Sequence, residues 1–121
     1  MSEACVLVVD DEPGMRETLV EILSASGYSV SAAADGDAAL EAVRRDRFDV
    51  ILMDIRMPGR DGVSVLQELG EPPPRVILMT AYARAERIRE AIEAHAFAVV
   101  SKPFPVPELL GLVASAASTP E

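Results

Sequence analysis

Three aspartates, a threonine and a lysine stand where short apolar segments of this sequence end. Asp10 and Asp11 follow ACVLVV, Asp54 and Thr80 each follow VILM, and Lys102 comes two positions after the end of FAVV. If these segments are parallel strands of one sheet, their carboxyl ends share an edge, which is where such sheets bind ligands. Side chains as much as about 90 positions apart in the chain would then converge on one site.

The residue types at this edge point to metal-assisted phosphoryl chemistry. Three carboxylates within a few ångströms repel one another, and one is driven towards protonation unless a cation joins them. Mg²⁺ suits the task because it takes oxygen ligands and combines carboxylates with phosphate oxygens. An ionised aspartate can then attack a phosphoryl group without a general base, while Lys102 stabilises the charge on the transferring oxygens. Thr80 can donate a hydrogen bond to a phosphoryl oxygen.

The apolar segments alternate with stretches of helical periodicity, which predicts five strand–helix units. Runs that are apolar on both faces and too short for a helix are typical of central parallel strands. The predicted strands cover residues 4–9, 28–33, 50–53, 76–79 and 97–100. Parallel strands need right-handed helical crossovers, so we expect an α/β doubly wound sandwich.

Residues with strong positional preferences mark the ends of the predicted helices. Pro13 suits the first position of a helix and Asp35 suits an N-cap, whereas Gly27 suits a C-terminal cap. A fourth helix is expected around residues 88–96, and the last helix from about 106 to 117.

Length and charge limit the classes of protein to which the chain can belong. The 121 residues include 20 acidic and 11 basic side chains, for a formal net charge of −9. Half of the 121 residues are apolar. We expect one ordered domain over residues 1–117, with 118–121 as a frayed end or the start of a linker. The acidic balance argues against direct nucleic-acid binding. No apolar run of 18 residues and no signal peptide is found, which predicts a cytoplasmic protein that does not enter membranes.

Taken together, the motifs resemble those of a known family, the receiver domains of bacterial two-component response regulators. The matching segments are DD at residues 10–11, LMDIRMPGRDG around Asp54, MTAY at Thr80 and SKPF at Lys102. They occur in the family's order and spacing along essentially the whole chain. The resemblance implies a flavodoxin-like (βα)5 fold with strand order 2-1-3-4-5.

The resemblance also implies roles for individual residues at this edge. Asp54 corresponds to the phosphoacceptor, and Asp10 and Asp11 correspond to the acids that hold Mg²⁺ together with Asp54. The backbone carbonyl of Arg56 corresponds to a further metal ligand. Thr80 corresponds to the switch hydroxyl and Lys102 to the cation that pairs with the phosphoryl group, with a cis peptide bond expected between Lys102 and Pro103.

The function implied by the resemblance is that of a phosphorylation-controlled switch in a two-component phosphorelay. The expected phosphoryl donor is a sensor histidine kinase or a histidine phosphotransfer protein. The domain would catalyse only its own phosphorylation and dephosphorylation at Asp54, so it is not expected to be an enzyme acting on other substrates. Phosphorylation would shift the population towards a state that controls a downstream partner or output domain. A homodimer through the face of helix 4, strand 5 and helix 5 is a further possibility.

One position departs from the family pattern and keeps a second interpretation open. The family usually has an aromatic residue three positions before the lysine, and this chain has Val99 there, which cannot make the same ring movement. Tyr82 and Phe97 are the nearby aromatic residues. The alternative function is therefore a receiver-fold interaction module that works without phosphorylation. A phosphatase with an aspartyl nucleophile is disfavoured because Arg56 stands where a second acid would be needed.

Four other residues have simpler structural interpretations than a role in the chemistry. Glu12 suits a helix N-terminus and His95 a helix end, because each charge is favoured there by the helix dipole. Asp61, followed by Gly62, is typical of a turn. Cys5 is the only cysteine, which excludes an internal disulfide, and its place in an apolar strand predicts an inert buried thiol.

Overall fold

Five parallel strands form one sheet in the computed structural model, which describes residues 3–70, 74–81, 89–91 and 94–118. The strands are β1 (Cys5–Val9), β2 (Ser29–Ala33), β3 (Val50–Asp54), β4 (Arg75–Thr80) and β5 (Ala98–Ser101). They pair in parallel in the order β2-β1-β3-β4-β5. The α/β class and the flavodoxin-like strand order expected from the sequence are confirmed.

Helices connect the strands and cover the sheet. They are α1 (Pro13–Ala25), α2 (Gly36–Arg45), α3 (Gly62–Glu68) and a C-terminal helix (Val106–Ser118). Of the fourth helix expected around residues 88–96, only 89–91 and 94–96 fall within the described residues, and 89–91 are helical. Across the described ranges, no helix combines the length and apolar character needed to cross a bilayer.

The ends of the helices follow the local chemistry of the sequence. Pro13 occupies the first turn of α1, and Gly27 adopts a left-handed φ of 96° just beyond the end of that helix. Asp35 caps α2, with a side-chain oxygen that accepts a hydrogen bond from the amide of Ala38 at 2.7 Å. Asp61 caps α3 in the same way through the amide of Ser64 at 2.9 Å. These contacts confirm the capping predictions and the structural interpretation of Asp61.

Strand pairing continues further than the apolar pattern predicts. Asp54 pairs with Met79 and Thr80 with Ser101, so the backbone ladder includes the polar residues that follow each VILM segment. The two functional candidates Asp54 and Thr80 therefore lie on the last residues of strands rather than on loops. A side chain fixed on a strand is held more firmly than one on a loop, because the ladder fixes its backbone.

Two apolar layers lie on opposite faces of the sheet. Along β1, Leu7 and Val9 contribute to the layer that contacts α2 and α3, whereas Val6 and Val8 contribute to the layer beneath α1 and the C-terminal helix. All four side chains are fully buried. This two-sided burial explains why the central strands are continuously apolar instead of alternating.

Two expectations about chain ends need small corrections. Cys5 is half-buried rather than buried, because it is the first residue of β1 and lies at the margin of the sheet. The C-terminal helix includes Ser118, one residue beyond the expected end, since the Ser118 hydroxyl donates to the carbonyl of Ala114 at 2.8 Å. Residues 119–121 lie outside the described part of the chain.

Candidate functional site

The carboxyl edge of the sheet gathers the side chains that the sequence singles out. Asp10 directly follows β1, Asp54 ends β3, Thr80 ends β4 and Lys102 directly follows β5. Asp10, Asp54 and Thr80 are the buried polar or charged residues of the described chain, with 0%, 8% and 1% of their surface exposed. Because burying polar groups is costly unless they are paired, their concentration here points to function.

Lys102 joins the two buried carboxylates. Its Nζ donates to Asp54 Oδ2 at 2.7 Å and to Asp10 Oδ2 at 3.2 Å. Burial by itself lowers the pKa of Lys102, but the hydrogen bond and charge of Asp54, together with those of Asp10, outweigh it and raise the pKa above its ordinary value. The ammonium is therefore held in its charged form between the two acids.

The Lys102 backbone ties the last two strands together at the site. The Lys102 amide donates to the carbonyl of Thr80 at 2.7 Å, which continues the pairing of β4 with β5 beyond Ser101. The peptide bond between Lys102 and Pro103 is cis, as expected from the resemblance. A backbone hydrogen bond thus fixes Thr80 and Lys102 beside each other at the ends of neighbouring strands.

Asp11 joins the two buried carboxylates in a group of three and opens the site to solvent. One oxygen each from Asp10, Asp11 and Asp54 lies within 4.8 Å of the others, and Asp11 is exposed to solvent. Three carboxylates and the ammonium of Lys102 leave a formal charge of −2. Hard oxygen donors, a deficit of two positive charges and an open side fit Mg²⁺, whose opposite ligands lie roughly 4 Å apart.

The loop after β3 holds Asp54 from its backbone side. The amide of Arg56 donates to Asp54 Oδ1 at 3.0 Å, so both oxygens of Asp54 are engaged, one by Arg56 and the other by Lys102. A Cβ added to Gly62 would lie 2.6 Å from the backbone oxygen of Asp54. Only glycine permits α3 to start this close to β3.

Two contributors to the site escape prediction from the sequence. Arg16 donates from Nη1 to the carbonyl of Asp10 at 2.8 Å, which supports the backbone of the buried acid. Gly62 is expected only as part of a turn, whereas the structure makes it a close-approach residue. The signal for Gly62 is its place at the start of an apolar helix. Arg16 carries no local signal, because its partner is set by tertiary packing.

Of the remaining candidates, Glu12 reaches the site through its backbone amide, which donates to Asp10 Oδ1 at 2.9 Å. His95 is exposed and adopts a left-handed φ of 67° shortly before β5, at the edge where the strands begin. That position separates it from the carboxylates and agrees with a structural interpretation. Glu12 is exposed and precedes α1, as expected. Val99 is half-buried and packs against the apolar layer beneath α2 and α3. Tyr82 lies outside the described residues.

Comparisons with known proteins agree with this geometry. A family model described as the response regulator receiver domain matches residues 6–114. The chain is 38% identical over 106 residues to sporulation initiation phosphotransferase F of Bacillus subtilis (strain 168), with 86% of each protein covered. It is 42% identical over 106 residues to the regulatory protein AtoC of Escherichia coli (strain K12), covering 86% of this chain but 23% of AtoC.

A solved structure gives the same result for the fold. A CheY-like response regulator receiver domain protein from Methanospirillum hungatei JF-1 superposes with a TM-score of 0.92 at 28% sequence identity. The superposition covers 96% of this chain and 94% of that one. The chain thus spans almost the whole length of a separately solved domain, yet less than a quarter of AtoC.

Proposed function

Since the chain belongs to the response regulator receiver family of two-component phosphorelays, we propose that Asp54 accepts the phosphoryl group in a Mg²⁺-dependent reaction. The observation that carries the proposal is the sharing of Lys102 between Asp10 and Asp54. The Lys102 ammonium donates to one oxygen of each buried carboxylate, which places a positive charge beside the group that acts as the nucleophile.

Asp54 attacks the phosphorus atom of the incoming group. A new bond forms between one carboxylate oxygen and phosphorus, the bond between phosphorus and the donor's imidazole nitrogen breaks, and its electron pair returns to that nitrogen. The Arg56 amide and the Lys102 ammonium hold the carboxylate so that its orientation is set before the donor arrives. Because Asp54 retains 8% of its surface exposed, the attacking group has a narrow opening to solvent.

Asp10, Asp11, Asp54 and the carbonyl of Arg56 are the residues that would hold Mg²⁺. When bound, the ion neutralises charge on the phosphoryl oxygens and orients them for in-line transfer. Lys102 supplies a further cationic group beside the metal site. Its ammonium can move from the free carboxylates of Asp10 and Asp54 to a phosphoryl oxygen of phosphorylated Asp54. This exchange keeps the ammonium paired before and after the reaction.

Thr80 is suited to sense the product. Its hydroxyl lies on the last residue of β4, one position beyond Met79, the pairing partner of Asp54. A hydrogen bond from Thr80 to a phosphoryl oxygen would draw the end of β4 towards the acceptor and change the surface that follows it. With Val99 in place of an aromatic residue, the signal must pass through backbone displacement and not through a ring movement on β5.

The partners follow from the same chemistry. A sensor histidine kinase or a histidine phosphotransfer protein supplies the phosphoryl group, and the domain catalyses transfer to itself and later hydrolysis of the acyl phosphate. A homodimer through the face that includes β5 and the C-terminal helix would be one way to read out the switch. Docking of an unphosphorylated form remains the second candidate function, and Val99 is the feature that favours it.

Intact-mass measurement after incubation with Mg²⁺ and a small acyl-phosphate donor tests the proposal. Wild type should gain one phosphoryl group, and Asp54→Asn should gain none. Asp61→Asn is the matched control, since asparagine caps a helix as well as aspartate does and the change lies in the same loop. Absence of the adduct on wild type would favour the docking module. An adduct on Asp54→Asn would place the acceptor on another residue.

A further inference from the structure

The loop between β3 and α3 carries the Arg56 carbonyl, and Arg60 fastens its outer part to two helices. Nε of Arg60 donates to Asp37 Oδ1 at 3.0 Å, and Nη1 of Arg60 pairs with Glu68. Asp37 lies in the first turn of α2, and Glu68 is the last residue of α3. Because the two contacts use different nitrogen atoms of one planar guanidinium, both can exist together.

Backbone packing brings Arg60 to this position. A Cβ added to Gly36 at the start of α2 would lie 2.9 Å from the carbonyl oxygen of Arg60 and 2.8 Å from Cγ2 of Val65 on α3. The loop, α2 and α3 are therefore in direct contact around Arg60. The same loop ends at Gly62, which packs against the backbone of Asp54. A displacement of Arg60 from α2 would therefore move the loop relative to Asp54.

The position of Glu68 explains why the contact with Arg60 is favourable. A negative charge at the C-terminal end of a helix is disfavoured by the helix dipole. The Arg60 guanidinium offsets that cost, so Glu68 and Arg60 stabilise each other where Glu68 alone would weaken α3. Asp37, at the other end of the contact, is favoured by the dipole of α2 and gives Arg60 a partner on that helix.

We propose that Arg60 is a positioning residue for the metal site, which acts by holding the Arg56 carbonyl towards the three aspartates. The inference rests on the proposed function, since Arg56 is a metal ligand only if Mg²⁺ binds there. Arg60 touches neither the acceptor nor the phosphoryl group. Its effect is therefore on the affinity for Mg²⁺ and on the order of the loop.

Mg²⁺ titration calorimetry on wild type, Arg60→Gln and Arg60→Lys tests this role. Loss of a positive charge near a cation site would by itself tighten Mg²⁺ binding, whereas loss of loop positioning weakens it. We expect Arg60→Gln to bind Mg²⁺ about threefold to tenfold more weakly, in keeping with the small energies of partly exposed ion pairs. Arg60→Lys keeps the positive charge but loses the planar guanidinium that can pair with two carboxylates at once. Its Mg²⁺ affinity should therefore lie between those of wild type and Arg60→Gln.

Arg44→Gln is the matched control. It removes the same charge and one ion pair, with Glu41, from the other end of α2, and should leave Mg²⁺ affinity unchanged. Amide hydrogen exchange gives a second readout that needs no metal. In Arg60→Gln the Arg56 and Gly62 amides should exchange faster than in wild type, while amides in the middle of β3 keep their protection.

The outcomes separate the inference from the proposal beneath it. If Arg60→Gln and Arg60→Lys bind Mg²⁺ as tightly as wild type or more tightly, Arg60 has no positioning role, although the metal site stands. If wild type itself binds no Mg²⁺, the metal site fails and the inference fails with it. At high salt the difference between wild type and Arg60→Gln should shrink, because exposed ion pairs are screened. A difference that persists unchanged would overturn the ionic account.

Discussion

The two edges of the sheet use charged residues in opposite ways. At the carboxyl edge, Lys102 pairs with Asp10 and Asp54, and the side chains are 15%, 1% and 12% exposed. At the edge where the strands begin, Arg44 pairs with Glu41 at 3.9 Å, with side chains 74% and 60% exposed. The buried charges interact in a low dielectric and hold fixed positions, whereas the exposed pair is screened by water. The contrast indicates that burial distinguishes the ion pairs of the candidate site from an ion pair that lies on the solvated surface.

Removing the lysine should test this contrast most severely. Lys102→Met leaves two buried carboxylates without their cation, so we expect the metal-free protein to lose about 3 kcal/mol of unfolding free energy. The rate of phosphoryl transfer from a small donor should fall by about 100-fold. Urea denaturation with a chelator present and time-resolved mass measurement give the two values. The matched change Arg44→Met should alter the unfolding free energy by less than about 0.5 kcal/mol. Equal losses in both variants would contradict the comparison.

The same glycine-to-alanine change should have opposite signs at the two edges. In Gly62→Ala the new methyl group meets the backbone oxygen of Asp54 at 2.6 Å, so we expect a loss of about 1–3 kcal/mol and slower phosphorylation. At Gly70, which follows α3 towards the other edge, no atom lies within 4 Å of an added Cβ. Gly70→Ala should be neutral or stabilising by up to about 1 kcal/mol, because it restricts the unfolded chain. Thermal unfolding of both variants measures the two changes in unfolding free energy. If Gly70→Ala is destabilised, the space around the added methyl group does not decide whether the substitution stabilises or destabilises the protein.

The pH dependence of stability should give the smallest and most specific effect. The pKa of Lys102 is raised in the folded state above its ordinary value of 10.5, so folding is favoured by the charged ammonium. Its contribution is complete below the unfolded-state pKa and is lost as the pH rises through the higher folded-state pKa. The difference in unfolding free energy between wild type and Lys102→Met should therefore be constant between about pH 7 and pH 9 and decline only above about pH 10.5. A decline centred near neutral pH would assign the stabilisation to another group.

The sequence predicts the convergence of the site better than its detail. Continuous apolar runs identify the strands, and the rule that parallel strands share a carboxyl edge brings Asp10, Asp54, Thr80 and Lys102 together. The strand order follows from the family resemblance alone, since five apolar runs of similar character do not specify their neighbours. The motifs around Asp54 and Lys102 carried that resemblance, and the family match confirms it.

The details that escaped prediction are contacts between distant elements. The support of Asp10 by Arg16, the close approach of Gly62 to Asp54 and the double pairing of Arg60 depend on how helices pack on the sheet. Neither composition nor spacing encodes such contacts, because the long side chain of an arginine is compatible with many partners. Helix caps such as Asp35 were predictable because donor and acceptor lie within one turn of each other.

The pairing of Asp10 with Lys102 spans 92 positions of the chain. During synthesis, β1 and β3 precede β5, so a growing chain holds its acidic residues well before the lysine that balances them has been made. The cost of collecting three carboxylates without a counter-charge opposes early closure of this edge. Competence to receive a phosphoryl group should consequently appear only when the fifth strand has joined the sheet. Chains still being synthesised would then not take phosphoryl groups from the donor.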